Sequence, residues 1–178
     1  MPSIFVNSTS TGPYMFIHEV TGTYLETDNY NDDIGQAVQI WNLDPVQKDK
    51  GLLGHLWHIE AASESGYFLI KSHENGHSLT AGSSASDYPR LQKADNSEKQ
   101  QWKLLRVHGS DSIGQDADSY ALIPRAYPGH ALAPQGQRQF NDVYVVPTSM
   151  WGTAPSFSQY WKVVRKSEKT ESAAGGTA

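Results

Sequence analysis

Few residues in this chain have both the type and the spacing for chemistry. The stretch GQAVQIW, residues 35–41, reads as a β-strand whose period of two puts Val38 and Ile40 on one face, Gln39 and Trp41 on the other. With the aliphatic pair in the core, an amide and a large indole face water. A reversed register, or packing of the ring on a neighbouring loop, is the competing account, since single exposed aromatics are common. Of seven histidines, His55 and His58 on a strand point to opposite faces and cannot hold one ion together. His73 and His77 flank a hairpin turn and can approach each other, while His77 and His130 stand at matching positions beside glycine, as turn residues do. No H-E-x-x-H pattern is present, so no metal is expected. Asp28, Asp32 and Asp33 offer oxygens, but their spacing is not that of an EF-hand and they read as solvated turn residues. There is no G-x-S-x-G elbow, Gly-rich phosphate loop or cysteine nucleophile, and no pair of carboxylates facing across a cleft. Neither catalysis nor a cofactor is expected.

The elements that must carry these residues are strands. The chain has 178 residues, 15 glycines and 9 prolines, with 5 Trp, 9 Tyr and 5 Phe, a turn-rich and aromatic composition that points to one all-β domain. A net charge of −5 and no Lys/Arg-rich run argue against a nucleic-acid partner. The absence of cysteine excludes disulfides and thiolate metal sites. MPSIFVNSTSTG lacks the basic and apolar regions of a signal peptide, and no apolar run nears the ~20 residues of a membrane helix. The expectation is a soluble cytoplasmic protein without membrane insertion, with non-classical release as the alternative. Asn7-Ser8-Thr9 matches a glycosylation sequon and is read as chance. The polar end KSEKTESAAGGTA is expected to be disordered.

Internal repetition organises the rest. Tyr14, Tyr67 and Tyr120 are 53 residues apart, as are Ile17, Ile70 and Ile123. Each pair opens a similar hairpin: PYMFIHEVTGTYL, GYFLIKSHENGHSL and SYALIPRAYPGHAL, with a turn at Gly22, Gly76 or Gly129 and an end at Leu25, Leu79 or Leu132. Each unit closes on a tryptophan strand, at Trp57, Trp102 and Trp161. Three four-strand units are one too few for a propeller, which usually needs ~4 blades. They suit a closed barrel capped by three hairpins, the β-trefoil, with the repeated Tyr, Ile, Leu and Trp as its core. The expected layout is an N-terminal segment 1–12, one β-trefoil domain 13–166 (repeats about 13–65, 66–118 and 119–166) and a tail 167–178.

Gln100-Gln101-Trp102 and Gln159-Tyr160-Trp161 are Q-x-W triplets at repeat ends, and His55-Leu56-Trp57 stands at the corresponding place in the first repeat. Over residues 13 to 165 the sequence therefore resembles ricin B-type β-trefoil lectins, and its short, cysteine-free form is most similar to the small fungal members. That resemblance implies a galactose site built from an acidic residue directly after the hairpin strand that ends in Tyr-Leu, a Gln-x-Trp or similar aromatic strand about fifteen residues later, and a polar residue, usually Asn, just before the Q-x-W glutamine. The chemistry is general: an aromatic ring stacks on the apolar face of a sugar, and a carboxylate accepts hydrogen bonds from its hydroxyls.

On this pattern the first repeat is the best candidate. Glu26 takes the acidic position, Gln39 and Trp41 the amide and ring, His55 replaces the glutamine and Gly54 the preceding Asn. Asp28, Asn29, Tyr30 and Asp32 lie near the mouth, and Asp44 follows to orient the loop. In the second repeat Thr80 replaces the acid, and the strand offers Gln92 but no tryptophan, with Lys93 or Ala94 in that place; Asp87, Tyr88 and Asn96 are left for a different site. In the third, Ala133 replaces the acid, Tyr144 faces outward, and Trp151 lies in an insertion that is either a binding surface, a dimer surface or a loop anchor. The resemblance thus implies a lectin for galactose/GalNAc-containing glycans, with a role in defence and homodimerisation as a route to avidity. The alternatives are a β-trefoil protease inhibitor acting through loop 44–55 or 147–158, and a scaffold with no ligand.

Overall fold

The computed structural model describes residues 12–27, 32–42, 54–108, 118–135 and 143–166. It is all-β. Six strands close a ring: β1 (Tyr14–His18), β4 (Trp57–Ala61), β5 (Phe68–Ser72), β8 (Trp102–His108), β9 (Asp118–Pro124) and β12 (Trp161–Arg165). Each pairs antiparallel with the next, and β12 returns to β1. The other six form three hairpins: β2 (Tyr24–Thr27) with β3 (Val38–Trp41), β6 (Ser78–Thr80) with β7 (Arg90–Gln92), and β10 (His130–Pro134) with β11 (Val143–Ser149). A closed ring with three hairpins in threefold sequence order is the β-trefoil. Closure leaves the barrel without edge strands.

The threefold core is more regular than the sequence register suggests. Tyr14 lies opposite Trp57, Phe68 opposite Trp102 and Tyr120 opposite Trp161. The matching residue in the second repeat is Phe68, not Tyr67: both are partly buried, but Phe68 packs against the core, whereas Tyr67 carries the Arg125 guanidinium 5.5 Å from its ring centre. Two residues on, Phe16, Ile70 and Leu122 are fully buried, whereas Ile17 is half-buried and Ile123 joins a small side cluster with Ala121 and Ala131. The equal spacing of the tyrosines and isoleucines is therefore one residue out of phase in one repeat, and on a strand that reverses the face.

The three repeat-closing tryptophans are fully buried and do the same thing. Their indole N–H groups donate to Leu25 O at 3.0 Å, Leu79 O at 2.8 Å and Leu132 O at 2.9 Å, fixing each hairpin to the barrel. The glutamine two residues earlier clips the loop behind it. Gln100 accepts from Asp95 N and donates to Lys93 O, both at 2.8 Å; Gln159 accepts from Ser156 N at 2.7 Å and donates to Thr148 O at 2.9 Å. The turns differ more. Gly22 (φ 68°) and Gly76 (φ 69°) adopt the left-handed conformation that tightens the first two, while the third closes through Tyr127 N–H on Pro124 O without a left-handed Gly129. No helix among the described residues is long and apolar enough to cross a membrane.

Candidate functional site

In the first repeat, antiparallel pairing of β2 with β3 sets Glu26 opposite Gln39 and Tyr24 opposite Trp41. Residues 24 and 26, and 39 and 41, alternate onto one face, while Leu25, Val38 and Ile40 fill the core. Gln39 Nε2 donates to Glu26 Oε1 at 3.2 Å. The pair lies deeper than a solvated strand end: Glu26 is 2% and Gln39 3% exposed, and Trp41 is half-buried instead of facing open water. Gln39 Oε1 is buried with no hydrogen-bond partner among the described residues, an acceptor whose desolvation costs about 1–3 kcal/mol until a donor reaches it. His55 is buried, its ring meeting Tyr24 edge-on at 6.3 Å. Asp28, Asn29, Tyr30 and Asp44 lie outside the described residues.

The approach to β3 is tied to the second repeat. Asp32, expected as a solvated turn residue, is buried. Its carboxylate accepts from Asn75 N at 2.8 Å and from the Asn75 side-chain amide, and its carbonyl accepts from His77 Nδ1 at 2.6 Å. Gly35 N–H donates to Leu91 O at 2.7 Å, Leu91 N–H to Gln36 O at 2.8 Å, and Arg90 Nη1 to Gly35 O at 3.0 Å. The amide-and-indole strand is thus held from outside its own repeat, which no motif in the sequence signals.

The second repeat shows a cavity of about 280 Å³ at the equivalent place. By strand register Thr80 matches Glu26, Arg90 matches Gln39 and Gln92 matches Trp41, so Gln92 stands where Lys93 or Ala94 was expected. The Thr80 hydroxyl donates to Ser78 O at 2.9 Å. The acid in the cavity comes from the loop instead: Asp87 lines it with Ser83, Tyr88, Arg90, Gln92 and Lys99. The Ser83 hydroxyl and N–H, at 3.0 and 3.2 Å, and Tyr88 N–H at 2.8 Å hold Asp87 below the usual carboxylate range, with Arg90 adding a smaller electrostatic pull. Asn96 is elsewhere, accepting from Ser63 N at 3.0 Å.

In the third repeat Ala133 and Val146 occupy the acid and amide positions and Thr148 the tryptophan position, all buried or half-buried. Tyr144 faces outward as expected but pairs with Gln39 of β3, its ring 5.5 Å from Tyr88. Trp151 is no loop anchor: it is 91% exposed on a two-residue turn closed by reciprocal backbone bonds with Ala154 at 3.0 and 3.1 Å. Of the histidines, His73 meets His58, Nδ1 to Nε2 at 2.7 Å, rather than His77. Among the described residues no group of three or more His, Cys, Asp or Glu is placed to hold a metal.

Known structures share this architecture. A designed threefold-symmetric protein, ThreeFoil, matches with a TM-score of 0.67 at 18% identity, over 86% of this chain and 98% of its own. The Rhizoctonia solani agglutinin matches at 0.66 and 13%, over 89% and 98%. The C-half of the earthworm R-type lectin, solved in complex with GalNAc, matches at 0.57 and 13%, over 87% and 99%. At these identities the likeness is one of fold, the β-trefoil that ricin B-type lectins also adopt. No protein-family model and no curated protein sequence matches the chain.

Proposed function

We propose that this protein is a carbohydrate-binding lectin for galactose- or GalNAc-type glycans, with its main site in the first repeat. The observation that carries this reading is the cross-strand register, which gathers a carboxylate (Glu26), an amide (Gln39) and two aromatic rings (Tyr24, Trp41) on one hairpin face. Glu26 accepts from sugar hydroxyls, Gln39 supplements it by donating Nε2 to its carboxylate, and Trp41 stacks on the apolar sugar face. His55 acts from beneath, packing on Tyr24. Asp28, Asn29 and Asp44 are assigned to the same site in this reading on the sequence pattern alone. The earthworm lectin's GalNAc complex on the same fold supports the ligand class. Binding, not catalysis, is the role assigned, and foreign-glycan recognition in defence is the biological use that fits it. One such site binds weakly, because ordering costs offset a small buried area; dimerisation would supply avidity.

A glycan array tests this with wild type, Trp41→Ala and Glu26→Ala. The expected result is galactose/GalNAc binding that falls at least about tenfold, roughly 1.4 kcal/mol, in each variant. Binding that survives both changes removes this site. The second reading, a protease inhibitor, is favoured by one observation: Trp151 is exposed on the closed turn of loop 147–158. Inhibition of a papain-like or trypsin-like protease, with no glycan bound, would select it.

A further inference from the structure

We propose that the second-repeat cavity is a separate site for an acidic sugar, a monosaccharide bearing a carboxylate, held by Lys99 and Arg90. The proposal rests on the lectin reading only for the ligand being a sugar. The charge preference comes from this cavity's own residues.

The neutral-sugar arrangement of the first repeat is absent here. Thr80 and Gln92 stand where Glu26 and Trp41 stand, and the Thr80 hydroxyl is spent on Ser78 O. Donors dominate what remains. Among the described residues, neither the Lys99 ammonium nor the Gln92 amide has a hydrogen-bond or ion-pair partner. Arg90 gives one N–H to Gly35 O, forms no ion pair within 4.0 Å, and keeps further donors. Two cations against one anion, Asp87, favour an anionic ligand group, and cation-to-carboxylate hydrogen bonds are about twice as strong as neutral ones.

Asp87 then decides that the anion is part of a sugar. Its three loop donors keep it ionised and fix its direction, so it repels a carboxylate and accepts hydroxyls. Gly82 makes that position possible: a Cβ there would stand 2.5 Å from Asp87 Cβ and 2.8 Å from its carboxylate. A hexuronic acid satisfies both demands, its carboxylate on Lys99 and Arg90, its hydroxyls on Asp87 and Gln92, its ring beside Tyr88. The volume, about 280 Å³, is at the small end for ligand pockets and suits one sugar ring.

Titration calorimetry of the full chain at low salt, with galacturonic acid, galactose and acetate, tests the proposal. Galacturonic acid should bind wild type and Trp41→Ala alike. Its affinity should fall about tenfold in Lys99→Gln, with galactose binding unchanged, and be lost in the Arg90→Gln, Lys99→Gln double variant. Lys99 makes no side-chain bond among the described residues, so its variant tests the site without a folding ambiguity. Equal binding of acetate would overturn the sugar assignment, leaving a simple anion site. Galacturonic acid binding unaffected by Lys99→Gln would overturn the site. Galactose bound but galacturonic acid not would refute this proposal alone; no sugar bound at all would refute it together with the lectin reading.

Discussion

Trp102→Phe is the sharpest test of how the hairpins are attached to the barrel. Trp102 is fully buried, and its indole N–H donates to Leu79 O at 2.8 Å. Phenylalanine keeps an aromatic ring but removes the donor and part of the ring. Losing that apolar volume costs about 2 kcal/mol. The buried carbonyl left without this donor costs about 1–3 kcal/mol more. The sum, about 3–5 kcal/mol, is a large share of the roughly 5–15 kcal/mol typical of a domain. At about 2–4 °C per kcal/mol it lowers Tm by roughly 6–20 °C. Urea unfolding followed by tryptophan fluorescence and by circular dichroism measures it, with coincident transitions as the two-state check. Trp57→Phe and Trp161→Phe serve as internal replicates, because their indoles make the same bond to Leu25 and Leu132. A loss below about 1 kcal/mol at all three positions, within the range of ordinary substitutions, would refute the anchoring role.

Two further outcomes follow from single residues. His18 is buried, with Nδ1 at 2.9 Å from Thr21 Oγ1 and Nε2 at 2.8 Å from Ser158 O; burial, outweighing the Ser158 bond and the nearby Glu19, pushes its pKa below the ordinary value of 6.5. The unfolded chain therefore takes up this proton first, so His18's contribution is fully present above pH 6.5 and is lost as pH falls towards its folded pKa. Urea midpoints from pH 7.5 down to about 5 should show that decline, and it should be shallower in His18→Gln. Trp151→Ser should leave stability within about 0.5 kcal/mol of wild type, since the ring is 91% exposed. A larger loss in thermal unfolding would mean that the ring packs on the protein in solution.

The fold was legible because its signal is periodic and tripled. Trp57, Trp102 and Trp161 close units whose hairpins end at Leu25, Leu79 and Leu132, and the structure joins each such pair by the same bond. The finer register was not legible. Tyr67 and Phe68 are adjacent aromatics, and only pairing with Trp102 shows which one faces the core. The site was legible in part. Glu26, Gln39 and Trp41 share a face because strands alternate, but the depth of Glu26 depends on what packs around the hairpin, which local pattern does not encode. Arg90 and Lys99 escaped notice because exposed cations on a polar stretch look like solubilising residues. Their relevance comes from a cavity wall assembled from β6, β7, the 82–88 loop and the turn carrying Lys99.

The three repeats diverge in a physically patterned way. At core positions the residue type holds: Tyr14, Phe68 and Tyr120 are aromatic, Phe16, Ile70 and Leu122 are large and apolar, and the closing tryptophans are invariant. At the outward hairpin positions it does not. Glu26, Thr80 and Ala133 are equivalent, as are Gln39, Arg90 and Val146, and Trp41, Gln92 and Thr148. Packing in the shared barrel core penalises any departure at the first set; the second set lies off that core and varies, although Glu26, Gln39, Ala133 and Val146 are themselves buried. A chain whose three hairpins differ off the shared core can present a different face on each. The ties from Asn75 and Leu91 to Asp32 and Gly35 set the limit on that freedom, since they make the second repeat a support for the first. A change in the second hairpin's backbone therefore reaches the first site, whereas a change confined to the Lys99 side chain does not.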